Sequence, residues 1–124
     1  MAPGSDAYRR AGEADSAGRE EEALRHYREA FELGLDEEEL PEALVGFGST
    51  LRNCGELEES ERVLREAVTR FPDYAALRVF LALTRWSADD RAGAFRELVE
   101  ALFRADAPGM ARFQRSIHAY SAEL

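Results

Sequence analysis

Few side chains in this 124-residue sequence could carry chemistry. His26 follows Glu22 by four residues and precedes Glu29 by three, which would place all three on one helix face and allow a metal-ligand pair. Ordinary charge pairing on a solvated face is the favoured interpretation. Cys54, the only cysteine, is expected to be a small, partly buried residue rather than a reactive thiol. No triad or carboxylate pair is recognisable, so we predict no catalytic residue and no metal site, with a weak enzyme using Cys54 or His26 as the least favoured alternative.

The basic residues exclude further classes of function. All 16 are arginine, so the chain has no lysine for a phosphate-binding loop or a Schiff base. The segment Gly46-Phe47-Gly48-Ser49 is only superficially similar to a nucleotide fingerprint, because no strand precedes it. The net charge of −9 argues against nucleic acid or an anionic membrane as a partner. We therefore predict no cofactor, and a protein or peptide as the partner.

The elements that must position any site are helices. Helix-forming Ala, Glu, Arg and Leu are abundant, whereas Val, Ile and Thr together number only 9. The longest apolar run, 79–83, is too short to span a membrane, and the first residues do not resemble a secretory signal, so we expect a cytoplasmic protein. Breaks at glycine, proline and aspartate predict an all-α fold with seven helices, at 5–16, 20–33, 38–53, 57–70, 74–87, 90–104 and 109–122.

Capping chemistry predicts where several helices begin. Ser5 is expected to cap the first helix, and Asp36 with Glu39 has the spacing of a capping box. Asp73 is expected at the start of the fifth helix. Pro108 is expected in the first turn of the last helix, where a missing amide proton does no harm.

The chain repeats itself every 34 residues, and once after 37. In this alignment small residues recur beside bulky ones. We predict that Gly48 lets two helix backbones approach while Leu64 and Leu98 fill the core beside it. The matched positions are Phe47-Gly48 with Leu81-Ala82, Leu64 with Leu98, Ala67-Val68 with Ala101-Leu102, and Gly18–Phe31 with Gly55–Val68.

This pattern resembles the tetratricopeptide repeat (TPR), a unit of two antiparallel helices. The third unit departs from the family at Arg78 and Arg85, where apolar residues are usual, and at Asp89, which replaces the turn glycine. The segment 46–102 is similar to small stand-alone bacterial TPR proteins of about 120 residues. The middle unit carries the resemblance in Leu44, Phe47-Gly48, Leu51, Gly55, Leu57, Ser60, Leu64, Ala67 and Pro72.

The resemblance implies a single domain over residues 1–124. Three helix-turn-helix units, at about 5–36, 41–74 and 75–107, would form a right-handed α-solenoid, with 109–122 as a C-terminal capping helix. It also implies a non-catalytic scaffold or adaptor for protein–protein interaction. Stability would then be roughly a sum over neighbouring repeats.

A TPR solenoid has a concave surface lined by the first helix of each unit. Its aromatic and apolar composition here is typical of an interaction hot spot, so we predict that this groove binds a peptide or helix. Two alternatives remain open: the last helix buries Trp86 against Phe113, or the groove pairs with a second copy in a homodimer. The predicted groove residues are Tyr8, Val45, Ser49, Arg52, Val79, Leu83, Trp86, Phe113, Ile117 and Tyr120.

Charge is distributed unevenly along the chain. Residues 1–62 hold 17 acids and 7 arginines, a net of −10, while residues 63–124 hold 8 and 9, a net of +1. The acidic runs are expected to favour solubility, and a head-to-tail contact between the two ends is the alternative. Some TPR domains clamp a C-terminal carboxylate with inward Lys and Asn. Those positions hold Val45, Ser49, Val79 and Leu83 here, so we do not expect that ligand.

Overall fold

The computed structural model describes all residues 1–124 and contains no strand. Seven α-helices follow one another, and a short 3-10 helix, Ala111–Phe113, precedes the last. The all-helical prediction is confirmed. The helices are α1 (Ser5–Ser16), α2 (Glu20–Leu33), α3 (Leu40–Asn53), α4 (Leu57–Arg70), α5 (Ala75–Ser87), α6 (Arg91–Arg104) and α7 (Gln114–Ala122).

The first six helices begin and end close to the predicted bounds. The start of α3 is at Leu40 rather than residue 38, because Pro41 fits the first turn, where no amide donor is needed. The start of α7 is at Gln114 rather than residue 109. Pro108 lies in the preceding turn, and Gly109 has a φ of +83°, a conformation that cannot continue a right-handed helix. The predicted role of Pro108 is therefore wrong.

Two of the predicted side-chain caps are wrong. Gly4 is the N-cap of α1, and the Ser5 hydroxyl instead donates to the Glu39 carboxylate, 2.9 Å from Oε1. This contact joins α1 to the start of the second hairpin, a long-range interaction that local sequence does not specify. No side chain caps α5, so Asp73 is not a cap either.

Two other side chains bond to backbone amides close to a helix start. The Asp36 amide donates to Glu39 Oε1 at 3.3 Å, as in a capping box, but helix α3 begins after this turn. The side chain that does cap a helix is Asp90, which accepts from the Gly93 amide at 2.9 Å. Asp90 lies three residues before its donor, the spacing that N-cap residues use.

The helices pair into hairpins, and the hairpins stack. Helix α1 packs on α2, α3 on α4, and α5 on α6, while α2–α3, α4–α5 and α3–α5 contacts join successive hairpins. The hairpin turns use Gly18, Gly55 and Asp89, with φ of +77°, +81° and +64°. Asp89 thus adopts the left-handed conformation of the glycine that it replaces. This arrangement confirms the predicted stack of helical hairpins.

Small residues draw the helices together. A Cβ at Gly48 would lie 2.5 Å from the Leu64 side chain, so only glycine permits this approach of α3 to α4. The Ser60 hydroxyl bonds to the Gly48 carbonyl oxygen at 2.7 Å and to the Thr84 hydroxyl at 2.8 Å, which ties α4 to both neighbours. Two apolar clusters form the core, and their largest buried members are Tyr27, Phe47 and Leu51 in one and Leu64, Leu77 and Leu81 in the other.

Arg78 and Arg85 occupy their unusual positions because one carboxylate serves both. Their Nη1 atoms donate to the two oxygens of Glu97 on α6, at 3.0 Å and 2.9 Å. The exposed fraction of the side chain is only 11 % for Arg78, 19 % for Arg85 and 16 % for Glu97. Glu61 of α4 lies 3.6 Å from the Arg85 Nε. A largely buried ionic cluster therefore replaces apolar packing between α5 and α6.

Candidate interaction surfaces

An entirely apolar groove lies between α5 and α6 at the C-terminal end of the stack. It has a volume of about 180 Å³, and its lining residues are Val79, Ala82, Leu83, Trp86, Ala94 and Leu98. Three of the predicted groove residues are among them, on one face of α5. Trp86 is 56 % exposed, an unusual fraction for the largest apolar side chain in the protein.

This groove is open because no further hairpin packs on α5 and α6. Leu64 of α4 is fully covered by α5, whereas Leu98, 34 residues later on α6, is 42 % exposed. Leu102 is exposed in the same way, although its equivalent Val68 is buried. The expectation that Leu98 fills the core is wrong, because no following helix packs over α6 on this side. We call the groove together with Leu102 the end face.

Helix α7 packs against α6 and leaves the end face uncovered. The Arg96 Nε donates to the Ser121 carbonyl oxygen at 2.9 Å, and the Phe103 and His118 ring centres are 4.9 Å apart. Contacts of α7 with the rest of the stack are minor. The last helix is therefore attached by its own hydrogen bonds rather than by covering the apolar groove.

The structure does not bring Phe113, Ile117 and Tyr120 into the groove predicted from the sequence. Ile117 is partly buried, the other two are exposed, and none of the three lines the end face. The alternative in which the last helix buries Trp86 against Phe113 is also wrong. The Trp86 ring has the Arg91 guanidinium over it instead, 4.8 Å from the ring centre.

Tyr8 and Val45 line a different groove, between α1 and α3. This groove has a volume of about 460 Å³ and is rich in carboxylates. Burial, then Glu42 and Glu39, raises the pKa of Tyr8 to about 12. The single groove expected from the sequence is therefore two grooves of different chemistry. We call the second one the acid–tyrosine groove and define it by Tyr8, Asp15, Tyr27, Glu39, Glu42 and Gly46.

Ser49 and Arg52 line neither groove. Both lie on α3, and both are partly buried. The Arg52 Nε is buried without a hydrogen-bond partner. Their part in binding stays a prediction, with no groove in the structure to support it.

The surroundings of Cys54 and His26 bear on the alternative of a weak enzyme. Burial, and next the Glu21 carboxylate, raises the pKa of the Cys54 thiol, which disfavours the nucleophilic thiolate. The His26 nitrogens lie 3.9 Å from Glu22 and 3.9 Å from Glu29, longer than hydrogen bonds. The structure contains no group of three or more His, Cys, Asp or Glu side chains placed to hold a metal ion.

Sequence reasoning missed several residues of these surfaces. Two arginines seven residues apart at apolar positions of α5 require an acidic partner on a facing helix, and this signal could have found Glu97. No comparable signal distinguishes Asp15 or Glu42 from the other acids, because the chain has 25 of them. Their convergence depends on how α1 packs beside α3.

Stacked helical hairpins with open surfaces define a helical-repeat protein of the α-solenoid class. A family model described as tetratrico peptide repeat matches residues 4–124, nearly the whole chain. The chain therefore belongs to the tetratricopeptide repeat family, as its repeat pattern predicted. Membership indicates an interaction scaffold with protein partners. No curated protein matches the sequence. None of the helices is long and apolar enough to cross a membrane.

Proposed function

We propose that this TPR protein is a non-catalytic interaction module that binds an amphipathic helix of a partner protein on its end face. The observation that carries the proposal is that Leu64 and Leu98 share one repeat position, yet only Leu64 is covered. A contiguous apolar surface of this kind is typical of an interaction site. The partner helix would continue the stack by one step.

Helix α5 covers the equivalent face of α4, and its residues indicate what a partner helix must present. Leu77 and Leu81 of α5 pack in the cluster that contains Leu64, and Thr84 bonds to Ser60. Leu77, Leu81 and Thr84 are spaced i, i+4 and i+7, so they form one stripe of a helix. A partner helix needs a stripe of the same spacing.

The end face differs in one respect from the face of α4 that α5 covers. Ala94 stands where α4 has Ser60, so a hydroxyl of the incoming helix would have no hydrogen-bond partner there. Leu83 and Trp86 extend the apolar area. We therefore expect apolar side chains at all three positions of the partner stripe.

A peptide tests this directly. The α5 peptide consists of residues 73–87 with Arg78→Gln, Thr84→Leu, Arg85→Gln and Trp86→Tyr, so it contains neither arginine nor tryptophan, and it carries a fluorescent label for polarisation. We expect saturable binding to the full chain with a Kd of about 10 µM. The same peptide with Leu77→Asp and Leu81→Asp should not bind.

Matched protein variants distinguish binding at the end face from non-specific hydrophobic binding. Leu98→Asp should weaken binding of the α5 peptide at least about tenfold, because a carboxylate would be buried under the helix. Leu33→Asp changes an equally exposed leucine on α2 and should leave binding unchanged. Equal losses in both variants, or no saturation with wild type, would reject the proposal.

A homodimer that uses the same surface is the second candidate. It is favoured because Phe113, directly before α7, and Ile117 and Tyr120 on α7 have the i, i+4, i+7 spacing of the covering stripe of α5. The α7 helix of one copy could then cover the end face of another in a two-fold arrangement. Light scattering after gel filtration decides: a dilution-resistant mass of about twice 13.9 kDa that Trp86→Ala abolishes supports the dimer, and monomeric wild type rejects it.

A further inference from the structure

Three carboxylates of the acid–tyrosine groove have no cationic partner. Asp15, Glu39 and Glu42 form no ion pair within the protein. Arg9, which also lines the groove, is paired with Glu13 at 2.9 Å. The groove therefore holds negative charge that the chain itself does not neutralise.

The hydroxyl of a buried tyrosine lines the same groove. Tyr27 is only 3 % exposed, yet it lines the groove and its hydroxyl makes no hydrogen bond to another protein group. A Cβ at Gly46 would lie 2.2 Å from this hydroxyl, so glycine leaves the space that the hydroxyl occupies. Burial, and next Asp15, raises the pKa of Tyr27, so the hydroxyl is neutral and free to accept an N–H donor.

An aromatic face completes the arrangement. The ring centres of Tyr8 and Tyr27 are 6.4 Å apart, and Tyr8 is the more exposed of the two. A tyrosine face attracts a cation within about 6 Å, and a planar guanidinium stacks on it. Carboxylates, a hydroxyl acceptor and an aromatic face are together what a guanidinium requires.

We propose that the acid–tyrosine groove binds the arginine side chain of a partner peptide. The carboxylates of Asp15 and Glu42 supply the opposing charge, Tyr8 stacks on the guanidinium plane, and the Tyr27 hydroxyl accepts one of its N–H groups. The site shares no lining residue with the end face, so it does not depend on the proposed function.

The probe for this site is N-acetyl-arginine N-methylamide, titrated into the 15N-labelled full chain and followed by backbone amide shifts. The matched control probe is the citrulline analogue, which has the same shape without the charge. We expect shifts centred on Asp15, Val45 and Gly46 with the arginine probe only. Equal shifts with citrulline, or shifts scattered over the acidic surface, would overturn the proposal.

Two double variants separate the site from the net charge of the protein. Asp15→Asn with Glu42→Gln should weaken binding of the arginine probe about tenfold. Glu58→Gln with Glu66→Gln removes the same charge from exposed positions of α4 and should leave binding unchanged. Equal weakening by both pairs would overturn the proposal, because the attraction would then come from the charge of −9.

A single variant provides a second readout that keeps the core packed. Tyr27→Phe retains the ring and removes only the hydroxyl. It should weaken binding of the arginine probe about threefold and leave the α5 peptide affinity unchanged. Unchanged affinity for the arginine probe would remove Tyr27 from the site and overturn the proposal.

Discussion

Replacing Glu97 with glutamine removes the charge that compensates two largely buried arginines. The Glu97 carboxylate accepts from Arg78 and Arg85 at 3.0 Å and 2.9 Å. The Nε atoms of both arginines are buried without hydrogen bonds, and Glu61, 3.6 Å from the Arg85 Nε, is the only other carboxylate paired with either, so Glu97 is their principal partner. A glutamine keeps the size of the side chain but turns one acceptor into a donor that faces a guanidinium.

The expected destabilisation is about 3 kcal/mol. Breaking one side of a fully buried ion pair costs about 3–5 kcal/mol, since it leaves an uncompensated charge. Here the three side chains retain some contact with water, which places the cost at the lower end of that range. A loss of this size is a large fraction of a domain stability of about 5–15 kcal/mol.

Urea unfolding followed by helical circular dichroism measures this change, with an unchanged m-value as the sign of a comparable transition. The control is Glu100→Gln on the same helix, where a half-exposed Glu100 lies 3.5 Å from Arg104. We expect the control to cost less than about 1 kcal/mol. Equal losses in the two variants, or a loss below about 1 kcal/mol for Glu97→Gln, would refute the reasoning.

Three further predictions use the same unfolding assay. Leu64→Ala should cost about 2–5 kcal/mol and Leu98→Ala less than about 1 kcal/mol, because only Leu64 is covered. Gly48→Ala should destabilise by about 1–3 kcal/mol through its clash with Leu64, while Gly12→Ala, where an added Cβ meets nothing within 4 Å, should stabilise by about 0.5–1 kcal/mol. Burial raises the pKa of Tyr8 to about 12, above the 10.0 of a free tyrosine, so its contribution to the free energy of unfolding is complete below pH 10.0 and is lost as the pH rises towards 12. Tyr8→Phe should flatten that decline.

The helices were predictable because their ends are marked by local chemistry. Gly18, Gly34 and Gly55 take positive φ and stop the right-handed helices before them, and sequence alone identifies them as breaks. The exact caps were not predictable. Ser5 has the right type for a cap, but its hydroxyl bonds to Glu39, a residue 34 positions away.

The surfaces were less predictable than the helices because they depend on which helix follows which. The repeat assigns Leu98 to the core, and it would be buried if another helix continued the stack. Instead α7 is held on α6 by the Arg96–Ser121 hydrogen bond, so Leu98 is exposed. Similarly, the sequence predicts Tyr8 on the concave surface, but its carboxylate neighbours become apparent only when α1 lies beside α3.

The fluorescence of Trp86 tests the central claim most directly, because the chain contains a single tryptophan and it lies on the end face. In dilute protein we expect an exposed indole that acrylamide quenches readily, in line with its 56 % exposure. Addition of the α5 peptide, which has no tryptophan, should shift the emission to shorter wavelength and slow the quenching. If the indole of the dilute chain alone emits at short wavelength and resists quenching, this would contradict the open end face.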